Sequence, residues 1–359
     1  MVKDIMNLFI GALVGVVFSV LFEEQLFRLK RRIVQFAKRH KKVKPEEEGN
    51  QPETFSFGDK ETSVIVIDGD GTAVVHNENL MIRVIADPKS CPNQVVKLKE
   101  KFEQEIANPE SGFSGFNGEL FSLYSYQIDR TPNNEDIILR IALYKTDYYT
   151  VQAVIRNLDY EFFDNESNSR ISLYDKYISG FAPGMVATSV LPNGIGVVAT
   201  ILTRDRKAIF CRRSEQSGFR SGQWDVSVVE GLNPTRDNNL NIYEVVHRAI
   251  DEEIGHLPND KLSINVLGLI FDKRYNQWNF VATAEVDLPS AKIREIRQTG
   301  TTGKWEISRL EFVPFSVKDV IKFLKSNTMW DTATLAAYWM LRFHGYSFSA
   351  IDKEITKKK

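Results

Sequence analysis

Cysteine is nearly missing from this chain. Cys91 and Cys211 are the two in 359 residues, which excludes a disulfide framework and the paired-cysteine spacing of a zinc site. Such sparse usage is compatible with a reducing compartment. Net charge is also close to nil, with 46 Lys and Arg against 47 Asp and Glu, and no DNA or RNA polymer is expected as a partner. No internal repeat is present, which sets aside solenoids and propellers. The glycine-rich run Gly112–Gly118 lacks the nearby lysine and helix start that a phosphate cradle needs. Asp68-Gly69-Asp70-Gly71 begins like a calcium loop, but Thr72, Ala73 and Val74 occupy the ligand positions that should follow.

What is present is the composition of a globular protein, 43% apolar and 26% charged, with length for one large domain or two ordinary ones. The charge is unevenly spread. Residues 1–44 hold ten Lys and Arg against three acids, a net +7, so the remainder carries −8. Ile5 to Phe22 contains no charge. As a helix it spans about 27 Å, at the short end of what crosses a bilayer. A cleaved signal peptide is the rival reading, but the basic residues follow the apolar run, and Glu23-Glu24 is a poor cleavage site. The expectation is a single-pass anchor over residues 1–22 in the inner membrane, with the C-terminal side cytoplasmic by the positive-inside rule. Gly11 and Gly15 have the spacing of a membrane-helix contact, although glycine is common in such helices anyway. Leu26, Leu29, Ile33 and Phe36 continue a helical stripe among basic residues, as either a surface-lying helix or a solvated coil.

Residues 23–52 read as this juxtamembrane helix and a polar, proline-flanked linker. Residues 53–185 read as a β-rich segment. A hairpin is expected at Asp68–Gly71, a helix over Lys97–Ile106, and strands at Leu120–Ile128, Ile137–Tyr144 and Thr150–Ile155. Residues 186–359 mix strands (Gly194–Leu202, Ala208–Arg212, Trp224–Val229, Ile264–Phe271, Phe280–Val286) with helices at Leu240–Ile254, Val317–Lys325 and Thr332–Phe343. Asp237, Asn238 or Asn239 caps the first of these helices and Gly255 stops it. The fold class is therefore α+β, with the β-rich segment and one N-terminal transmembrane helix preceding a mixed sheet.

The chemistry concentrates in Val245-Val-His-Arg-Ala-Ile-Asp-Glu-Glu-Ile-Gly-His256. Glu244, Arg248 and Glu252 share one helix face at i, i+4, i+8. Paired carboxylates at a helix end can hold Mg²⁺ beside a diphosphate, though a Glu-Glu pair is more often solvated surface. Arg248-Ala-Ile-Asp-Glu-Glu-Ile-Gly255 resembles the second half of the Nudix box, G-x5-E-x7-R-E-U-x-E-E-x-G-U, with U apolar. Ala208–Ser214 resembles the strand before the box, and Gly222–Val228 the "G-x-W" strand, so three segments occur in the family's order within residues 190–325. The box is eroded. Ala249 stands where a metal-facing glutamate belongs, Leu240 where the earlier glutamate belongs, and His256 where an apolar residue belongs. The loop from Gly231 is three residues too long.

The resemblance implies a Nudix-like mixed sheet, with Arg248 and Gly255 structural and Mg²⁺ held by Glu252 and Glu253. Glu285, on a later strand, is a candidate third ligand. Nucleotide-binding candidates are Arg212, Arg213, Arg220, Lys273, Arg274, Tyr275 and Trp278, which offer cations and aromatic faces to phosphates and bases. One of Arg212 and Arg213 should point away from the cleft, and Trp278 is equally readable as cross-strand packing. Anchor, β-rich segment and degenerate box together are similar to the SMODS-associated transmembrane–Nudix effectors of CBASS anti-phage systems. That resemblance implies a homo-oligomer that binds a cyclic di- or trinucleotide made on infection and then disrupts the inner membrane. The competing readings are a membrane-bound, Mg²⁺-dependent hydrolase of a nucleoside diphosphate derivative or cyclic nucleotide, and a scaffold that binds only protein.

Overall fold

The computed structural model describes residues 54–357, apart from 87–90, 108–115, 133–135, 181–189, 216–219, 238 and 301–306. The expected anchor, Gly11, Gly15 and the basic helix and linker lie outside the described residues. Among the described residues no helix is long and apolar enough to cross a membrane. The expected fold is corrected accordingly: it is a mixed α+β unit over Gln51–Lys359, and the transmembrane element is no part of it.

A nine-stranded sheet organises the unit. Its order is β1 (Thr54–Phe57), β2 (Lys60–Asp68), β12 (Leu262–Asp272), β13 (Gln277–Val286), β8 (Gly194–Thr203), β9 (Lys207–Arg213) and β10 (Trp224–Asp225). β11 (Val228–Gly231) lies beside β8, and β14 (Ile307–Pro314) beside β9. The central pair β13–β8 is parallel, with Val281 opposite Val198. β9 leaves β8 after two pairs, Ile201–Ile209 and Leu202–Ala208. Ser227 fills the fork: its Oγ accepts from Ile201 N–H at 2.7 Å and donates to the Ile209 carbonyl at 2.7 Å. That junction is why the strand expected over Trp224–Val229 is two strands, β10 on β9 and β11 on β8.

Side chains alternate between two cores, as a two-residue period demands. Val197, Ala199, Ile201, Phe280, Ala282 and Ala284 face one side, where they meet α4 (Ile242–Glu253) and a smaller sheet. Val198, Leu202 and Val281 face the other, under α6 (Val317–Ser326), α7 (Asp331–Phe343) and α8 (Phe348–Thr356). The smaller sheet is β3 (Leu80–Val84), β5 (Ile137–Asp147) and β4 (Glu119–Arg130), backed by α1 (Asn93–Ala107) and α2 (Tyr148–Ile155). The hairpin β6–β7 (Glu161–Asp164, Ser169–Ser172), α3 (Leu173–Tyr177) and α5 (Ser290–Gly300) complete the elements.

Residues 53–185 hold β1–β7 and, among the described residues, three α-helices. β1 and β2 belong to the large sheet. A buried clasp crosses the expected boundary at residue 186: Leu123 N–H donates to Asn193 Oδ1 and Asn193 Nδ2 donates back to the Leu123 carbonyl, both at 2.9 Å. The expected hairpin at Asp68–Gly71 is absent because β2 pairs with β1 and β12 instead. Gly71 turns the chain there at φ +77°, and a Cβ on it would lie 2.8 Å from Trp339 Cα. Thr150–Ile155, expected as a strand, is helical in α2. Asp147 caps that helix through Thr150 N–H at 3.0 Å and Thr150 Oγ1 at 2.7 Å, a local preference that outweighs β-branched propensity.

Candidate functional site

α4 carries the site. Its N-cap is Asn241, whose Oδ1 accepts from Tyr243 N–H at 3.0 Å, not the expected Asp237, Asn238 or Asn239. Ile242, Val245, Val246, Ala249 and Ile250 are buried against the sheet. Ile254 and Gly255 N–H both donate to the Ile250 carbonyl, at 2.9 and 3.0 Å, and Gly255 at φ +118° turns the chain out of the helix. Gly255 thus has the terminating role expected of it.

Arg248 is the electrostatic centre of the exposed face. Its guanidinium meets Asp237 twice at 3.0 Å through Nη2, Glu230 at 3.0 Å through Nη1, and Glu252 at 3.6 Å. Burial opposes this charge, but the three carboxylates outweigh it and hold the pKa above the ordinary arginine value. Asp237, expected as a helix cap, instead ties the long β11–α4 loop to the helix: it also accepts from Asn233 N–H at 2.6 Å.

The carboxylates expected to hold Mg²⁺ are already engaged. Glu252 receives Arg236 Nη1 at 2.7 Å as well as Arg248. Glu253 Oε1 accepts from Val229 N–H at 3.3 Å. Glu285 shares its parity on β13 with Val281, which packs under α7, whereas Ala282, Ala284 and Val286 face α4. The third expected ligand therefore lies on the opposite face of the sheet. Ala249 is fully buried in the apolar core. Among the described residues no three His, Cys, Asp or Glu side chains form a metal-holding group.

The nucleotide-binding candidates divide by burial. Arg212 is exposed and paired with Glu215 at 2.9 Å. Arg213, its neighbour, shares the parity of Ile209 and Cys211 and so projects to the α4 face; Arg212 is the one that points away. Arg220 is buried, pairs with Asp225 at 2.5 Å, and stacks 3.6 Å from the Trp330 ring. Trp278 is buried, stacked on Phe271 at 4.5 Å and beside Tyr126 at 5.4 Å, which is the packing reading. Lys273, Arg274 and Tyr275 form the β12–β13 turn. Arg274 is exposed over Tyr275, and Tyr275 meets Trp330 edge-on at 6.5 Å. Trp330 thereby links Arg220 to this turn, with its Nε1 donating to buried Asp272 at 2.7 Å.

Two features were not legible in the residues. The outer face of α4 borders an open groove of about 760 Å³, with Glu244, Asp251 and Glu252 on one wall and Leu262 and Ile264 on the other. Arg297, on α5, reaches across to the end of α4 and donates to the Glu253 carbonyl and, at 3.3 Å, to the Ile307 carbonyl. A single arginine on a polar helix carries no motif, and only the tertiary fold brings it here.

No family model matches the chain, and no curated protein matches it. Among solved structures, that of DR0079 from Deinococcus radiodurans is 17% identical over 49% of this chain and 96% of that chain, with a TM-score of 0.30. The overlap is too slight to place this chain in a fold family.

Proposed function

We propose that residues 51–359 form a Nudix-like receptor that binds a cyclic di- or trinucleotide and releases it intact, as the sensing part of a CBASS-type anti-phage effector. The observation that carries the reading is the fate of the box carboxylates: Glu252 is held by Arg236 and Arg248, Glu253 by the Val229 amide, and Ala249 is sealed in the core. Hydrolysis of a phosphoanhydride calls for metals with several free carboxylates and a positioned base. Recognition needs a shaped surface with cations and aromatic faces, which the β9 end and the β12–β13 turn supply.

A hydrolase is the second reading, favoured by Glu252, Glu253, Arg248 and Gly255 standing at their box spacing on one helix. One experiment separates the two. The full chain is mixed with a panel of cyclic di- and trinucleotides and Mg²⁺, and the bound fraction is recovered and chromatographed. Retention of one member, recovered whole and unaffected by Glu252→Gln with Glu253→Gln, supports the receptor. A linearised or shortened product that disappears in that double variant sinks it.

A further inference from the structure

The first residues of β12 lack a neighbour on one side. β2 runs beside β12 over Leu269–Asp272 and ends at Asp68, and Val75 N–H donates to the Val266 carbonyl at 2.8 Å. Among the described residues no strand pairs with Leu262–Asn265 on that side, although β13 pairs with them on the other. Backbone groups alternate in direction along an antiparallel strand. The Lys261 carbonyl turns towards β13, where it accepts from Asp287 N–H at 2.8 Å, and the Val266 carbonyl turns to the open side. Ile264 shares the parity of Val266, so its N–H and carbonyl both point to the open side. The Leu262 carbonyl does the same, while Leu262 N–H is taken by the Asn259 carbonyl.

This open edge borders the groove of about 760 Å³ beside α4. Leu262 and Ile264 are half-buried and give the groove an apolar wall. The opposite wall carries three carboxylates, Glu244, Asp251 and Glu252, against the one guanidinium of Arg248. That guanidinium is already shared among Glu230, Asp237 and Glu252. Glu244 is exposed, and among the described residues its side chain touches only Asn241 Nδ2, at 3.3 Å. Asp251 has His247 and His256 beside it, each at 3.5 Å, and no lysine or arginine within ion-pair distance. A lysine side chain suits both walls at once, with its methylenes along Ile264 and its ammonium at the carboxylates.

We infer that the Leu262–Asn265 edge and the outer face of α4 form a docking site for an extended, lysine-rich segment of a partner protein. The segment adds antiparallel to β12, with main-chain bonds to Ile264 and its lysines against the acidic face of α4. A free polyamine would meet the same carboxylates, but it has no amide to pair with the edge. The site is independent of the receptor reading, because the acidic wall repels the phosphates of a nucleotide.

The test uses the full chain and a fluorescein-labelled octapeptide of alternating lysine and threonine, read by fluorescence anisotropy. This peptide should bind, and one of alternating glutamate and threonine should not. Glu244→Gln with Asp251→Asn should weaken binding by about tenfold or more, the worth of a hydrogen bond to a charged group. Glu161→Gln, an exposed acid on β6, should leave it unchanged. The residue opposite Ile264 in an antiparallel pair shares its face, so the lysines are the residues whose amides meet the edge. Methylating the lysine amide nitrogens should therefore weaken binding by about fivefold, one main-chain bond, while methylating those of threonine should not. The protein is unaltered in that arm, so a folding defect cannot imitate the result. Equal binding by the two methylated peptides overturns strand addition, and undiminished binding by the Glu244/Asp251 double variant overturns the acidic wall. Displacement of the peptide by an equal concentration of spermidine overturns the peptide in favour of a free polyamine.

Discussion

Arg248 grips Asp237 through two nitrogens, with Nε at 3.2 Å and Nη2 at 3.0 Å from the same carboxylate oxygen. The contact joins the middle of α4 to a loop residue eleven positions earlier, and Asp237 is only 4% exposed. Arg248→Met should therefore strand Asp237 and destabilise the fold by about 3 kcal/mol, the usual result of breaking a buried pair from one side. Urea unfolding would show this as a lower midpoint at unchanged m-value. A loss under about 1 kcal/mol would mean that the Asn233 amide alone satisfies Asp237.

Ala249→Glu puts a glutamate where the Nudix pattern has one and should not confer hydrolysis. Position 249 is fully buried among Val245, Val246 and Ile250, so the new carboxylate meets apolar atoms. A loss of several kcal/mol is expected from burying a charge and overfilling the core. Thermal unfolding measures the first effect and phosphate release the second. A stable variant that cleaves nucleotides would show that α4 can rotate its 249 face outward.

Trp330→Phe removes one donor from Asp272 while keeping most of the ring under Arg220. Asp272 is fully buried, and it also accepts from Ser63 Oγ at 2.7 Å and Thr332 Oγ1 at 3.2 Å. Loss of one of these bonds should lower stability by about 1–3 kcal/mol. Adding Asp272→Asn should recover part of that, because burial already pushes the Asp272 pKa up and a neutral side chain suits the site. No recovery in the double variant would place the cost in ring packing instead.

His344 should tune stability below neutrality. Burial, assisted by the charge of Arg206, holds its pKa down at about 4, against 6.5 for the free side chain. The unfolded chain takes up this proton first as pH falls, so the contribution is complete above 6.5 and is lost on the way down to 4. At most about 1.4 kcal/mol per pH unit is involved. His344→Gln should flatten the stability curve between pH 6.5 and 4, and an unchanged slope in urea titrations would count against a neutral, buried His344.

Long periodic segments were readable from the residues alone. β5, β8, β12 and β13 and helices α4, α6 and α7 all lie close to where apolar runs, alternation or helical spacing put them: β8 and β13 are apolar on both faces because each lies between the two cores, and α4 and α6 each bury one face. What escaped depended on distant partners. β14 carries exposed polar residues and takes its place only by pairing with β9. Trp224–Val229 reads as one strand until Ser227 is seen in the β8–β9 fork. In the candidate site, Gly255 could be placed because its role is local to one helix end, whereas the partners of Arg248, Asp237 and Glu230, lie on the loop and strand before the helix. Arg220, Trp278 and Glu285 could not be placed, because burial and sheet face decide what they touch, and both are set by strands far away in the chain.

The pairing of β2 with β12 has a consequence during synthesis. Ser63 and Asp272 are 209 residues apart in the chain, and at roughly 5–20 residues per second β2 emerges about 10–40 seconds before its inner partner exists. For that interval Val64, Ile65, Val66 and Ile67 have only the short β1 to pair with, and they present a hydrophobic edge of the kind that recruits foreign strands. Shielding those first two strands until the last third of the polypeptide arrives should therefore raise the yield of folded chain.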